Sequence, residues 1–130
     1  MKISTADKYF SECVREANNH TCEWCGKQGR METSHVFSRR HRTIRWDKLN
    51  ATCMCHACHR KWHESPLSAF AWFESKFGQG RIDLLREKMN AKIKVSKLEE
   101  KEIAKHYREE LKKLNEKRLN GEPLDFESWQ

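Results

Sequence analysis

The chain has 130 residues and a formal net charge of +7, with 35% charged and 37% hydrophobic residues. That leaves room for one compact domain with a small core, of the kind that usually needs a disulfide or metal staple. A membrane-spanning chain is excluded, because no apolar stretch approaches the length of a bilayer span.

The opening MKISTADKYF is polar and carries no export signal, so paired cysteines here point to bound metal in the cytoplasm rather than to disulfides. Residues 5–18 place Tyr9, Phe10, Cys13, Val14 and Ala17 at helical spacing, which predicts an amphipathic helix with Cys13 packed on its apolar face. CEWCGKQG, residues 22–29, has the shape of a zinc knuckle with a glycine turn. RMETSHVF, residues 30–37, alternates as a short strand, and TIRW, residues 43–46, is the expected return strand across a basic loop. Trp46 then belongs in the hairpin core. HACHRKWH opens a helix. In SPLSAFAWFESKFG, Ser65 is the expected N-cap, Pro66 the first helical residue and Gly78 the stop, with Phe70, Phe73 and Phe77 on a core face.

GRIDLLREKMN aligns Ile82, Leu85 and Met89 in a second short helix. Ser96 and Glu99 form a capping-box pattern ahead of a helix that runs to about Leu119 and ends at Asn120 and Gly121. Its narrow stripe of Ile103, Tyr107, Leu111 and Leu114 is expected to dock on the domain rather than on a second copy. Residues 121–130 read as a loosely attached tail.

Residues 1–65 hold 12 Lys/Arg against 7 Asp/Glu, and Arg39, Arg40, Arg42 and Arg45 stand together without an acid. A solvated loop would tolerate such a run, but its place beside a Cys/His cluster favours a polyanion such as DNA. Cys22/Cys25 and Cys55/Cys58 are two C-x2-C pairs, the pattern of a four-cysteine tetrahedral zinc site. Cys53 makes a C-x-C with Cys55 and is an alternative ligand. His59 and His63 are four residues apart, so on a helix they share a face and can chelate a second metal.

His35 lies fifteen residues before Asn50, and Asn50 nine before His59. Together with His63 and the knuckle that runs into CHACH, this pattern resembles the HNH, or ββα-metal, nuclease family. In that family a hairpin and one helix clamp a divalent cation against a scissile phosphate. The resemblance implies that His35 is the general base, a task suited to a neutral histidine near pH 7. It implies that Asn50 orients the His35 region and that His59 and His63 carry Mg²⁺ or Mn²⁺, although imidazole ligation also suits Ni²⁺ or Zn²⁺. Many HNH enzymes carry an acid or a second histidine just before the base. Here that residue is Ser34, which leaves Glu32 or water as the further ligand. Arg39, Arg40, Arg42 and Arg45 would contact phosphates.

Residues 20 to 119 also resemble the phage recombination protein NinG family, also called Rap. The likeness lies in the C-x2-CG knuckle, the SH before the hairpin turn, and FGQGRIDLLREKMN ahead of a long charged helix. That resemblance implies endonuclease action on branched DNA such as Holliday junctions, in the host cytoplasm for a phage-encoded chain, and it allows a homodimer. The expected fold class is α+β: a small zinc-stapled ββα-metal core flanked by helices, with a long C-terminal helix. Its segments are an N-terminal helix (1–19), the nuclease core (20–65), a helical region (66–120) and the tail (121–130). The alternatives are an HNH nickase or restriction-like enzyme on ordinary duplex, a non-catalytic zinc module that binds DNA, and a recombination scaffold built on the long helix.

Overall fold

The computed structural model describes residues 2–91 and 93–129. In chain order the elements are α1 (Thr5–Ala17), β1 (Glu32–His35), a 3₁₀ turn (Lys48–Asn50), β2 (Ala51–Met54), α2 (His56–Glu64), α3 (Pro66–Phe77), α4 (Gln79–Asn90) and α5 (Lys97–Leu119). Among the described residues the fold is α+β, with five helices, a two-stranded sheet and the longest helix, α5, near the C-terminal end. Among the described residues, no helix is long and apolar enough to cross a membrane.

Local signals explain most helix boundaries. Ser4 accepts from the Asp7 N–H while the Asp7 carboxylate accepts from the Ser4 N–H, a reciprocal box that starts α1. Ser96 accepts from the Glu99 N–H at the start of α5. Pro66 opens α3 and Gly78, at a φ of +89°, closes it. Ser65 sits at the N-cap position of α3, but its hydroxyl makes no capping bond.

α5 docks within the chain. Phe10 of α1 meets Tyr107 edge-on at 4.9 Å between ring centroids, and the Cys13 thiol donates to the Tyr107 carbonyl at 3.3 Å. Val14, Ile103 and Leu114 are buried in the same cluster. Burying each such side chain is worth about 2 kcal/mol, so the docked stripe is strongly preferred over an exposed one.

Two expectations are corrected. β1 pairs antiparallel with Ala51–Met54, setting Thr33 opposite Cys53 and Ser34 opposite Thr52, so TIRW is not the return strand. Residues 38–47 instead make successive turns, with His41 N–H donating to Ser38, Ile44 N–H to His41 and Asp47 N–H to Ile44. Ile44 and Trp46 are buried as expected of hairpin-core residues, but from a loop. The Tyr107 hydroxyl donates to the Trp46 carbonyl and the Trp46 indole to Asp7. β2 is buried at every position, so it lacks the alternation that marks a half-covered strand.

Nor is the tail loose. Phe126 is 4% exposed and packs edge-on against Phe10 and Tyr107. The Glu127 N–H donates to the buried Glu110 carboxylate at 2.8 Å, and the Trp129 N–H to the Tyr107 hydroxyl at 2.9 Å. Gly121, at a φ of +69°, turns the chain back to reach these partners.

Candidate active site

Cys22, Cys25, Cys55 and Cys58 come together, with all four sulfurs within 4.8 Å of one another. The first pair lies on a turn closed by Gly26 N–H to Cys22 O and Cys22 N–H to Lys27 O. Cys55 is the N-cap residue of α2, and Cys58 follows within its first turn. Glu23 joins the two pairs: its N–H donates to the Cys53 carbonyl and its carboxylate accepts from the Cys53 N–H, both at 2.9 Å.

The Cys25 and Cys55 sulfurs are 3.8 Å apart. A tetrahedral zinc with Zn–S bonds of about 2.3 Å has sulfur–sulfur edges of roughly 3.8 Å, so the cluster can hold a structural metal such as zinc. Burial raises the Cys22 thiol, but N–H groups of Cys25, Cys55 and Trp24 aimed at its sulfur bring it down to about 7. Cys53 and Cys13 differ: burial pushes both up to about 12. Cys53 is not in the cluster, because it is fully buried on β2 while the chain turns away into α2 at Cys55.

A separate groove of about 880 Å³ brings His35, His59 and His63 together. Its lining includes Lys8, Ser11 and Arg15 from α1 and Ser38 and Arg39 from the loop. On α2 the His59 and His63 Nε2 atoms face each other at 3.3 Å. Two nitrogens bound to one ion at about 2.1 Å lie roughly 3.0–3.4 Å apart, so this pair fits a shared cation. The His59 Nδ1–H donates to Glu32 Oε1 at 2.8 Å, and the His56 Nδ1–H donates to Glu32 Oε2 at 3.0 Å. These bonds, from His59 first and His56 second, hold Glu32 below the usual carboxylate range. Glu32 therefore meets the nitrogen of His59 remote from Nε2. It orients the His59 ring from the side away from the His59–His63 contact.

His35 ends β1 and donates Nε2–H to the Arg45 carbonyl at 3.1 Å. A carbonyl only accepts, so that bond selects the Nε2–H tautomer and leaves Nδ1 as the basic nitrogen. Burial is the largest influence and lowers His35 to about 4; the Arg45 carbonyl and Asp7 oppose it, and the Arg39 and Arg45 charges add to it. The imidazole is neutral at pH 7.

Asn50 is fully buried and does not line the groove. Its Oδ1 accepts from Phe37 N–H at 2.8 Å, while Nδ2 donates to the carbonyls of Phe37 at 3.0 Å and Ile44 at 3.2 Å. It ties the exit of β1 to the loop and so positions His35.

The four loop arginines do different jobs. Arg45 is 6% exposed and held by Asp7 through Nε at 2.9 Å and Nη2 at 2.5 Å, so it is not available to a phosphate. Burial raises Asp7, but Arg45 and Ser4 hold its carboxyl below the usual range. Arg42 lies over the Trp46 ring at 5.1 Å and pairs with Glu100 at 3.7 Å. Arg39 lines the groove, 3.6 Å from Asp7, and Arg40 is exposed.

Lys8, Arg15, Asp7 and His56 were not expected near the histidines. Spacing alone could have flagged Lys8, Ser11 and Arg15 as one helix face, and His56 as a turn before His59. Nothing local announces that Asp7 meets Arg45, 38 residues later. No protein-family model, curated protein or solved structure matches this chain.

Proposed function

We propose that the protein is a metal-dependent DNA endonuclease of the HNH type, with a zinc-stapled ββα-metal core, acting on branched recombination intermediates such as Holliday junctions. One observation carries this reading. A neutral histidine of defined tautomer, His35, shares one cationic groove with two imidazoles whose Nε2 atoms are spaced for a common cation.

In this reading His35 accepts the proton of the attacking water through Nδ1. Burial keeps it neutral beforehand, and the negative charge of an entering phosphate raises its basicity at the moment it is needed. Asn50 and the Asp7–Arg45 pair hold the loop whose carbonyl fixes the His35 ring. Glu32 aligns His59 for its ligand role. A divalent cation such as Mg²⁺ or Mn²⁺ on His59 and His63 would neutralise charge on the phosphate. Arg39 and Arg40 supply phosphate contacts from the loop. A junction needs two cuts, which a homodimer would deliver.

The test is cleavage of a labelled four-way junction beside a linear duplex of matched sequence, with Mg²⁺ or Mn²⁺ and with His35→Ala as control. Junction-selective cutting that the variant loses is the expected result. Equal cutting of both substrates keeps the chemistry and removes branch selectivity. Tight binding without cutting by either metal would reduce the protein to a DNA-binding module.

A further inference from the structure

We infer that the Lys8–Ser11–Arg15 face of α1 is a phosphate-binding wall that grips one nucleic-acid strand along the groove holding His35, His59 and His63. The inference rests on the nucleic-acid substrate proposed above, but not on the cleavage chemistry.

Lys8, Ser11 and Arg15 are spaced by three and four residues, so they lie on one face of α1, and all three line the groove. Arg15 is held there. Its Nη1 donates to Ser11 Oγ, Ser11 Oγ donates to Thr33 Oγ1 at 2.8 Å, and Thr33 Oγ1 also lies 3.2 Å from the Ser11 carbonyl. This relay fastens the guanidinium to β1, two residues before His35, and uses only one of its five N–H donors. An arginine already immobilised loses less side-chain freedom when it meets a phosphate.

Charge points the same way. Among the described residues neither Lys8 nor Arg15 is paired with a carboxylate, whereas Arg42, Arg45, Lys48, Lys88, Lys113 and Arg118 all are. The one carboxylate lining the groove is Asp7, and Arg45 neutralises it. The groove therefore offers an anion two uncompensated cations on a rigid helix. Seven residues of helix place Lys8 and Arg15 about 10 Å apart along its axis. At roughly 3.4 Å of axial rise per phosphate, that separation spans about three nucleotides of one strand.

The test uses the whole 130-residue chain, loaded with zinc and carrying His35→Ala, so that binding is read without cutting. Fluorescence anisotropy with a labelled single strand and a labelled duplex gives the dependence of log K on log salt. Lys8→Gln with Arg15→Gln removes two phosphate contacts. The slope should shrink by about 1.8 on duplex and about 1.4 on the single strand. The larger loss of affinity identifies which strand form the wall holds. Lys101→Gln with Lys105→Gln, on the exposed side of α5, changes net charge equally and should leave the slope alone. Arg15→Lys should keep it, which separates charge from folding.

An unchanged slope in the Lys8/Arg15 variant overturns the wall, as does an equal change in the α5 control. If the protein with His35 intact cuts no DNA but the slope still shifts, the wall stands and the nuclease reading fails. If it cuts while the slope holds, the nuclease stands and the wall fails. Absence of any DNA binding overturns both.

Discussion

The cysteine cluster and the histidine groove share α2, where Cys58 is followed directly by His59, yet their surroundings differ. The cluster gathers four sulfurs from two chain segments, enough to close a tetrahedron around a structural metal such as zinc. The groove brings His59 and His63, four residues apart on α2, together with His35 at the end of β1. The cluster is tied by backbone hydrogen bonds within its turn and to Cys53, so it needs little from the rest of the fold. The groove depends on α1, β1, the 38–47 loop and, through Tyr107, on α5 and the tail. The cluster is fastened by backbone bonds at its own turn, whereas the groove is assembled by elements far apart in sequence.

The largest expected effect separates the two regions. Cys22→Ala should abolish the compact fold, since structural zinc binding is worth about 10–16 kcal/mol in small domains. Circular dichroism and metal content read the result, and a folded, metal-free variant would break the comparison. His35→Ala should instead leave fold and metal content intact while cleavage falls about 10²–10⁴-fold. Full activity in that variant would remove His35 as the base.

Support of the groove from α1 is tested by Asp7→Asn. It strands the Arg45 charge inside the protein and should cost about 3–5 kcal/mol in urea denaturation at pH 7. Asp7 is depressed in the fold, so its stabilising effect is present above the unfolded carboxyl range and disappears as pH falls through its folded value. The variant and the parent should therefore converge in acid. Convergence at neutral pH would mean that the ion pair contributes nothing.

Phe126→Ala should cost about 3 kcal/mol by emptying the site beside Phe10 and Tyr107, with metal content unchanged. A loss of bound metal in that variant would show that the cluster shares the groove's dependence on the tail. A pH effect of at most similar size comes from His35. His35 titrates near 4 when folded and near 6.5 when free, so between those values the unfolded chain binds the extra proton. Stability should fall as pH drops through that window, by about 3 kcal/mol at most. The measurement is parent minus His35→Gln, which cancels zinc loss common to both. A difference that stays flat from 6.5 to 4 would mean that the ring is solvated.

Much of this molecule could be read from spacing. The C-x2-C pairs, the His59/His63 step and the Ser96 and Pro66 helix starts are short-range patterns, and each is realised where the spacing placed it. Helical hydrogen bonds and chelation act over a few residues, so sequence distance is a fair guide to spatial distance. The return strand escaped because β2 is buried at every position and shows no alternation, while Ile44, Arg45 and Trp46 of TIRW are buried one after another in a loop.

The sequence by itself determined which cysteines form a cluster able to hold a metal, where most helices start and that the chain is basic. Tertiary structure decided which cations are paired within the chain and which gather in the groove. It withdrew Arg45 to Asp7, drew Arg42 to Glu100, and brought Lys8 and Arg15 to the histidines. It also turned the tail from an appendage into a brace for the loop beside His35. Contacts across tens of residues depend on how whole elements pack, and no local spacing encodes that.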